Sequence, residues 1–235
     1  MDDKELIKFI QTHFQRPFLL RELAKRLRLS GDPRIALKEQ VKKLVSGGKL
    51  IRIKGQRFGL PTSLNLVIGT LQSSSKGFGF VIHDDVKQAD IFVEGRDYGT
   101  AMHSDRVVVR VEGKNRMGKP KGRIIRILQR AHDQIVGIFD YNRNFCFVVP
   151  DDKRLFHDIY IHRKKIKGAQ KGQKVVVKLL EWASDQLNPE GEIISILGYP
   201  DEQGVDIQSI IEKHELPTVF PARVLKEAES VTESF

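Results

Sequence analysis

The sequence predicts an α+β protein: a helical amino-terminal unit, then two five-stranded β-barrels in tandem, then a short acidic helical tail. Three observations predict this fold class. Apolar residues recur at helical spacing in residues 1–62, one pattern of short β-rich segments is written twice in residues 63–199, and residues 200–235 hold 3 basic and 8 acidic side chains. We therefore expect four regions, at 1–62, 63–130, 131–199 and 200–235.

The first region has the pattern of three helices followed by a hairpin. Residues 5–14, 20–29 and 32–46 carry apolar side chains at helical spacing, and residues 50–60 resemble two short strands joined by a turn. Three helices and a hairpin predict a winged helix. The third helix and the wing offer six cations that suit phosphate contacts: Lys38, Lys42, Lys43, Arg52, Lys54 and Arg57. The alternative is that this unit only packs against protein.

Local signals set the ends of the third helix. Asp32 is a good N-cap and Pro33 a good first helical residue, because proline fixes a helical φ and needs no N–H partner there. After Ser46 the pair Gly47-Gly48 predicts the stop, since glycine accepts the left-handed backbone that often ends a helix.

The middle of the chain is a tandem repeat. The offset between matching residues is 67 from Phe78 to Phe145 and 69 from Gly122 to Gly191. Each copy contains five short segments rich in Val, Ile and Phe, and those of the first copy begin near Leu66, Phe78, Asp90, Arg106 and Gly122. Five strands in so short a copy predict an OB-fold, a small barrel that binds oligonucleotides on one face.

Aromatic residues mark one face of each predicted barrel. Side chains alternate along a strand, so Phe78 and Phe80 project from one face and Gly79 from the other, while Phe92 on the next strand can join the two rings. The matching group in the second copy is Phe145, Phe147 and Tyr160. Core packing is the usual role of such rings. Their recurrence, their basic neighbours and the supply of Val, Ile and Leu for the barrel interiors favour platforms on which bases stack.

The motifs resemble a known family. Lys76-Gly-Phe-Gly-Phe-Val81 followed by Asp90-Ile-Phe-Val93 is similar to the two RNA-binding motifs of a cold-shock domain. A winged helix followed by two such domains resembles the amino-terminal half of bacterial exoribonucleases of the ribonuclease II family. The resemblance covers the chain from about residue 3, and residues 204–221 resemble that family's lead-in to its catalytic domain.

The resemblance implies a function for the whole protein. Its relatives hydrolyse single-stranded RNA from the 3′ end with magnesium, in a catalytic domain that we expect beyond the last residue of this chain. The partners implied are single-stranded RNA, structured or ribosome-associated RNA, and the catalytic domain itself. The candidate RNA-binding residues are Lys76, Phe78, Phe80, Phe92, Arg106, Arg110, Arg143, Phe145, Phe147, Tyr160 and His162.

Two departures from the motif carry expectations of their own. The second copy has Cys146 where the motif has glycine, and a thiol that points into the barrel fits there. Cold-shock proteins usually carry histidine two positions after the third aromatic residue. The second copy has His162 there, whereas the first has Glu94, whose carboxylate is expected to repel a phosphate and weaken that side of the first platform.

Composition supports a nucleic-acid partner. The chain has 40 Lys and Arg against 30 Asp and Glu, a net charge of +10. Residues 1–62 alone hold 15 basic and 6 acidic residues, a net charge of +9, which suits a polyanion. No apolar stretch reaches the length of a membrane span, no apolar leader follows Met1, and there is one cysteine, so we expect a cytoplasmic protein without membrane contact.

No catalytic or metal-binding motif is recognisable. The chain lacks a phosphate-binding loop, and its histidines and its cysteine have no common metal-ligand spacing, so we predict no catalytic residue, metal or cofactor within it. The pairs Asp84-Asp85 and Asp151-Asp152 occupy the same predicted turn of each repeat and are expected to form turns. In the tail, helices are predicted at 206–214 and 222–230, loosely held or docked on sequence that is absent.

The sequence therefore predicts the RNA-binding front half of a 3′-to-5′ exoribonuclease. Two alternatives stay open. One is a stand-alone RNA chaperone of the cold-shock type, and the other is a DNA-binding regulator led by the winged helix. The regulator would prefer duplex DNA, whereas aromatic platforms favour single strands, because a duplex hides the faces of its bases.

Overall fold

The computed structural model describes residues 1–84, 88–180, 182, 184, 187–218, 223, 224 and 227. The chain forms two compact units, Met1–Ala131 and His132–Phe235. None of the helices in this described part of the chain combines the length and the apolar character needed to cross a membrane.

Three helices begin the first unit, as predicted: α1 (Asp3–His13), α2 (Leu20–Arg26) and α3 (Asp32–Ser46). A reciprocal capping box starts α1. The Asp2 carboxylate accepts a hydrogen bond from the Glu5 N–H at 2.7 Å, and the Glu5 carboxylate accepts one from the Asp2 N–H at 3.0 Å. The N–H groups of Asp2 and Glu5 at the start of α1 therefore both have a hydrogen-bond partner.

The start of α3 differs from the prediction by one residue. Gly31 is the N-cap, with φ of 63°, and Asp32 already lies in the helix without making a side-chain cap. The left-handed backbone at Gly31 turns the chain into the helix, and the Gly31 carbonyl accepts a hydrogen bond from Arg34 N–H at 3.0 Å. The prediction of Asp32 as N-cap was therefore wrong. Asp32 instead lies in the first turn of α3, where a negative charge is favoured by the positive end of the helix dipole. Gly47 ends the helix as predicted.

A three-stranded antiparallel sheet packs with these helices. Its strands are β1 (Phe18–Leu19), β2 (Ile51–Ile53) and β3 (Arg57–Gly59), in the order β1-β3-β2. The predicted hairpin is β2 and β3, while β1 was missed because two residues carry no detectable alternation. The helices and the sheet share one core, which includes Leu6, Ile10, Phe18, Leu23, Leu37, Val41, Leu44 and Leu50.

The first unit also contains a closed five-stranded barrel. Its strands are β4 (Leu66–Ser74), β5 (Phe78–His83), β6 (Ile91–Glu94), β7 (Arg106–Lys114) and β8 (Pro120–Gln129). The order is β4-β5-β6-β8-β7, and the β6–β8 pair is parallel. Val81, Val93, Val107 and Val109 fill the interior. This confirms the predicted OB-type barrel.

A second, smaller core joins this barrel to the three-stranded sheet that precedes it in the chain. Ile51 packs with Leu66, Ile68 and Val108, whose side chains lie on the outside of the barrel. Gly48 is required at this junction, because its φ of 74° favours glycine and a Cβ there would come within 2.9 Å of the Ile68 side chain.

The second unit repeats the barrel. Its strands are β9 (Gln134–Tyr141), β10 (Cys146–Pro150), β11 (Ile159–Ile161), β12 (Lys174–Leu179) and β13 (Glu190–Gly198). The order is β10-β11-β13-β12-β9, again closed and again with one parallel pair, β11–β13. The connectivity matches that of the first barrel strand for strand, as the sequence repeat predicts.

A fourth helix, α4 (Val205–Lys213), packs on the second barrel. Val205 is buried with Val136, Val176 and Leu197, and Gln134 donates a hydrogen bond to the Glu212 carbonyl at 3.0 Å. The predicted helix at 206–214 is thereby confirmed, but the expectation that it is loosely held was wrong, since apolar burial docks it. The helix predicted at 222–230 lies for the most part outside the described residues.

Candidate nucleic-acid interface

Three phenylalanine rings form one cluster on the outside of the first barrel. Phe78 and Phe80 lie on β5, and Phe92 lies opposite Phe80 on β6. The ring centroids are 6.1 Å apart for Phe78 and Phe80, 5.8 Å for Phe78 and Phe92, and 5.7 Å for Phe80 and Phe92. All three rings are half-buried, so each keeps exposed surface. The prediction that they share one face is confirmed, and we call this group the first platform.

Gly79 faces the barrel interior between the two outward rings of β5. A Cβ at this position would collide with the Tyr98 hydroxyl and would lie 2.5 Å from the carbonyl oxygen of Gln72. Tyr98 is 2% exposed, and this burial raises the pKa of its hydroxyl well above the ordinary value. A large side chain from the loop after β6 therefore fills the space that the glycine leaves beneath the first platform.

Two lysines on or just before β8 lie beside the first platform. The Lys119 Nζ is 5.7 Å from the centroid of the Phe80 ring, a cation–π distance. Lys121 lies opposite Phe92 in the parallel β6–β8 pair. Neither lysine was predicted as a contact, because the parallel pairing that brings β8 to this face leaves no local signal in the sequence. The predicted contact Lys76 is exposed in the β4–β5 turn, two residues before Phe78.

The negative charge of the Glu94 carboxylate is balanced by two neighbouring cations. Lys121 Nζ and Arg96 Nη2 both lie 2.6 Å from its oxygens. The hydrogen bond from Lys121, assisted by the charge of Arg96, lowers the pKa of Glu94, so the carboxylate is ionised at neutral pH. Two positive charges surround one negative charge, which offsets the repulsion of phosphate expected at this position.

Arg106 and Arg110 lie on β7, away from the first platform. Strands β4 and β8 separate β7 from the strands that carry the rings. Arg106 forms a bidentate ion pair with Asp84, in which the Nη1 to Oδ1 distance is 3.0 Å. The second barrel repeats this ion pair, with Lys174 Nζ 2.7 Å from Asp151. Arg106 is therefore part of a repeated structural contact, while Arg110 is exposed on the same outer face.

The second barrel carries a looser aromatic group, which we call the second platform. The Phe145 and Tyr160 ring centroids are 6.2 Å apart, and Phe147 lies opposite Tyr160 in the β10–β11 pair. Phe145 is 53% exposed and precedes β10, in a turn held by the Asn142 side chain, whose Oδ1 accepts a hydrogen bond from Phe145 N–H at 2.8 Å. Cys146 is buried, which agrees with the expectation that its thiol points inward.

Basic residues surround the second platform. Arg143 is exposed in the β9–β10 turn, and its carbonyl accepts a hydrogen bond from Arg163 Nη2 at 2.8 Å. His162 follows β11 and caps the short 3-10 turn Arg163–Lys165, with its Nδ1 accepting from Lys164 N–H at 3.3 Å. Arg143 and His162 were predicted contacts, whereas this Arg-Lys-Lys turn was not, although its run of charges is visible in the sequence.

A further aromatic cluster lies in the loops of the second barrel. The centroids of His157 and Phe156 are 5.0 Å apart, and those of His157 and Trp182 are 5.1 Å apart. Burial lowers the pKa of His157, and the Trp182 indole N–H donates to the Leu187 carbonyl at 2.7 Å. His157 therefore favours its neutral form, and these rings hold the loops together.

A basic groove of about 840 Å³ lies in the amino-terminal part of the first unit. Its walls come from the α2 and α3 helices and from the β2–β3 sheet. Five apolar residues and five cations line it: Leu19, Leu20, Val41, Val45 and Phe58, with Arg21, Arg34, Lys38, Lys42 and Arg52. Three of the six predicted phosphate contacts, Lys38, Lys42 and Arg52, are thus brought together.

The other three predicted contacts of this region lie outside the groove lining. Lys43 is 3.7 Å from Asp3 in an exposed ion pair, and Lys54 is exposed in the turn between β2 and β3. The Arg57 guanidinium donates a hydrogen bond to the Pro17 carbonyl at 2.9 Å, so it ties β3 to the chain before β1. Arg21 and Arg34 were missed, because the fold, not the local sequence, aligns α2 with α3.

The paired aspartates act as turn and ion-pair residues where the structure describes them. Asp152 accepts hydrogen bonds from the backbone and the guanidinium of Arg154, which lower its pKa, and Lys213 of α4 lies 3.4 Å away. Asp85 lies outside the described residues. Among those residues, no cluster of His, Cys, Asp and Glu could hold a metal ion, and no catalytic step is assigned to them.

Comparison with known proteins agrees with these two barrels. A family model described as "Ribonuclease B OB domain" matches residues 69–127, and one described as "Cold shock domain" matches residues 147–221. Among solved structures, Mycoplasma genitalium RNase R in complex with ribose-methylated single-stranded RNA superimposes with a TM-score of 0.61 at 21% identity, covering 70% of this chain and 26% of that one. Yeast Ssd1, a pseudonuclease, gives 0.56 at 16% identity, covering 75% and 26%. These structures share the fold.

Sequence relatives align with nearly the whole chain. Ribonuclease R of Thermotoga maritima is 37% identical over 97% of this chain, that of Aquifex aeolicus 32% over 98%, and that of Escherichia coli K12 30% over 96%. The chain spans between 28% and 32% of the length of these relatives. The aligned region holds both barrels and the helices before them. The chain is therefore similar, along nearly its whole length, to one part of ribonuclease R.

Proposed function

We propose that the two barrels bind single-stranded RNA by stacking bases on their exposed aromatic rings. The observation that carries this proposal is the first platform, where three phenylalanine rings in mutual contact lie on the outside of a closed barrel with Lys119 over one of them. The barrel interior is filled by aliphatic residues and Tyr98, so packing alone does not require these rings. A base stacked on an aromatic side chain contributes about 1–3 kcal/mol to single-strand binding.

Each barrel combines the same two kinds of contact. In the first, Phe78, Phe80 and Phe92 stack on bases, while Lys76 and Lys119 meet phosphates. In the second, the stacking residues are Phe145, Phe147 and Tyr160, and the cations beside them are Arg143 and the Arg163–Lys165 turn. His162, whose Nδ1 accepts from Lys164 N–H, can donate its Nε2–H to a phosphate. Arg110 remains a candidate phosphate contact on the outer face of β7, whereas Arg106 serves Asp84.

The similarity to ribonuclease R extends the proposal to the whole protein. We propose that this RNA binding serves a ribonuclease R-like activity, hydrolysis of RNA from the 3′ end, with the barrels holding the strand for that reaction. Support comes from relatives that are named ribonuclease R and that align with nearly all of this chain. No residue described here is assigned to the hydrolysis itself.

The amino-terminal residues 1–62 are proposed to form a winged helix that assists RNA capture. Support comes from three helices and a three-stranded sheet, together with a groove in which five cations surround an apolar floor. Phosphates of structured RNA fit Lys38, Lys42 and Arg52. The other proposed regions of the chain are the first barrel at 63–130, the second barrel at 131–199 and the acidic tail at 200–235. Among the described ion pairs, Lys42 is the groove cation with an acidic partner, so the other four keep their charge available.

A fluorescence-anisotropy titration tests this function. Labelled single-stranded RNA of about 16 nucleotides, near the upper site size of one OB-fold, is compared with duplex DNA of equal length at two salt concentrations. We expect tighter binding of the single strand, and loss of affinity in Phe78→Ala/Phe80→Ala. Ile207→Ala/Ile210→Ala is the matched control, because it removes two exposed apolar side chains from α4.

Two results would contradict the proposal. Preference for duplex DNA, unaffected by the phenylalanine substitutions, would favour a DNA-binding regulator. Equal affinity of the platform variant and the control variant would remove the rings from the interface. A denaturing gel of the same samples, with magnesium present, shows whether the RNA stays intact, and shortened RNA would place a catalytic centre within this chain.

A further inference from the structure

The second barrel has a depression at the end that the first barrel keeps filled. It measures about 520 Å³, within the range of small-molecule sites. Buried Phe139, Cys146 and Ala169 with half-buried Ile166 form its apolar floor. Its rim is Tyr141, Asn142, Arg143 and Arg163, all of them exposed.

The repeat shows how the depression arises. Cys146 occupies the place of Gly79, and Ile166 occupies the place of Tyr98, since each of these last two residues directly follows the 3-10 turn after the third strand of its barrel. In the first barrel the Tyr98 ring closes the end over Gly79. Isoleucine lacks the ring and hydroxyl with which Tyr98 reaches Gly79, so Ile166 leaves the end of the second barrel open.

A second pair of matched residues adds to the difference. Ser73 pairs with Gly79 and is buried, with its N–H donating to His103 Nδ1 at 3.1 Å. Tyr141 pairs with Cys146 in the same way but is 50% exposed. One barrel therefore ends in a sealed polar contact, and the other ends in an aromatic ring at the rim of an open apolar depression.

The lining matches the chemistry of a nucleotide. A flat base needs an apolar floor and an aromatic face, which Phe139, Ile166 and Tyr141 provide. A phosphate needs guanidinium donors, and Arg143 and Arg163 stand at the rim, held together by the hydrogen bond from Arg163 to the Arg143 carbonyl. An uncharged apolar ligand would leave both arginines without a role.

We propose that this depression binds one nucleotide of a single-stranded RNA, with its base on the apolar floor beside Tyr141 and its phosphate between Arg143 and Arg163. Arg143 is two residues before Phe145 in the same turn, so a strand stacked on the second platform reaches the rim directly. This inference rests on the proposed RNA binding and adds to it a site in the second barrel for an inserted base.

Cys146, the one cysteine of the chain, lies at the floor of the depression. Its rate of alkylation therefore reports whether a ligand occupies the depression. Alkylation of Cys146 by iodoacetamide is followed by intact-mass spectrometry on the whole chain. The rate of alkylation is measured for the chain alone, for the chain with saturating single-stranded RNA of about 16 nucleotides, and for the chain with UMP or AMP. We expect RNA to slow alkylation, and slowing by UMP or AMP as well would show that a free nucleotide also enters.

Affinity measurements on substituted chains give the second readout. Ile166→Tyr restores the residue that closes the first barrel, and Tyr141→Ser restores its small partner. Each is expected to weaken binding of RNA about tenfold, within the range for loss of one stacked base. Phe78→Ala/Phe80→Ala is the control, since it weakens RNA binding but should still show protection of Cys146 at saturating RNA. Thermal melts show whether each variant has folded. If Ile166→Tyr has not, the affinity of Tyr141→Ser for RNA tests the site.

The outcomes separate the two proposals. Normal RNA binding with unprotected Cys146 and wild-type affinity in Tyr141→Ser would overturn the nucleotide site and leave the platforms standing. Failure of the unsubstituted chain to bind single-stranded RNA would overturn the proposed function and this site with it. Protection by RNA together with weakened binding in Tyr141→Ser supports the site.

Discussion

The two barrels keep the same strand order and the same outer ion pair but differ in how their ends are filled. Asp84 with Arg106 in the first barrel corresponds to Asp151 with Lys174 in the second. Inside, a glycine under a buried tyrosine has been replaced by a cysteine beside an isoleucine. The comparison teaches that the outer ion pair is kept in both copies, whereas the facing interior residues change together, because Tyr98 leaves no room for a side chain at position 79.

Placing the interior residue of the second barrel in the first barrel is expected to have the largest effect on stability. Gly79→Cys places the side chain of the second barrel under Tyr98, and overpacking of this kind costs about 1–3 kcal/mol. Urea denaturation measures the loss. Adding Tyr98→Ile removes the collision with the hydroxyl and should restore part of the stability, as a double-mutant cycle can show. The backbone oxygen of Gln72 stays close, so recovery should be incomplete, and an unchanged stability in Gly79→Cys would refute the volume argument.

The platforms themselves give the next largest effect. Phe78→Ala removes a ring that contacts two others, whereas Phe145→Ala removes one that contacts Tyr160. We expect a greater loss of affinity for single-stranded RNA from Phe78→Ala, toward the upper part of the range of about 1–3 kcal/mol per base, and a smaller loss from Phe145→Ala. Anisotropy titrations of the two variants side by side provide the measurement. Equal losses would mean that packing of the platform does not set its affinity.

Salt dependence should distinguish cations that meet phosphate from cations that hold the fold. Lys119→Ala is expected to reduce the slope of log affinity against log salt by about 0.7, the value for one phosphate contact on a single strand. Arg106→Ala, whose guanidinium is paired with Asp84, should leave the slope unchanged and lower the melting temperature instead. The prediction fails if Arg106→Ala changes the slope as much as Lys119→Ala does.

The smallest expected effect concerns Asp152, which links the second barrel to α4 through Lys213. Hydrogen bonds from Arg154 hold its pKa below the ordinary value, so the carboxylate contributes stability above the unfolded-state pKa of about 3.9 and loses it as pH falls. Asp152→Asn should therefore lower stability at neutral pH by less than about 1 kcal/mol, because part of the group meets solvent.

The pH profile of that substitution carries the test. Urea denaturation of the unsubstituted and Asp152→Asn chains at several pH values should show a difference that is constant near neutrality and shrinks in the acid range. A difference that grows as the pH falls would contradict the assignment. Lys213→Ala should reproduce part of the effect, since it removes the partner from α4.

Periodicity and repetition predicted the helices, both barrels and the shared face of Phe78, Phe80 and Phe92. The sequence could not show what depends on distant pairing. Lys119 and Lys121 reach the first platform through the parallel β6–β8 pair, and Arg21 joins the groove because α2 lies beside α3. Arg106 looked available for phosphate because its partner, Asp84, lies 22 residues earlier in the chain. The docking of α4 was missed for the same reason, since Val205 meets strands of the second barrel that are far from it in sequence.

The paired change from Gly79 and Tyr98 to Cys146 and Ile166 also bears on how a chain with two similar barrels folds. Neighbouring repeats can exchange equivalent strands and become trapped in misassembled forms. A β10 strand inserted into the first barrel would press Cys146 against Tyr98, and a β5 strand inserted into the second would leave a void at Gly79 above Ile166. Both exchanges are expected to cost stability, so the divergence that opened a depression in one copy is also expected to disfavour pairing of strands between the copies.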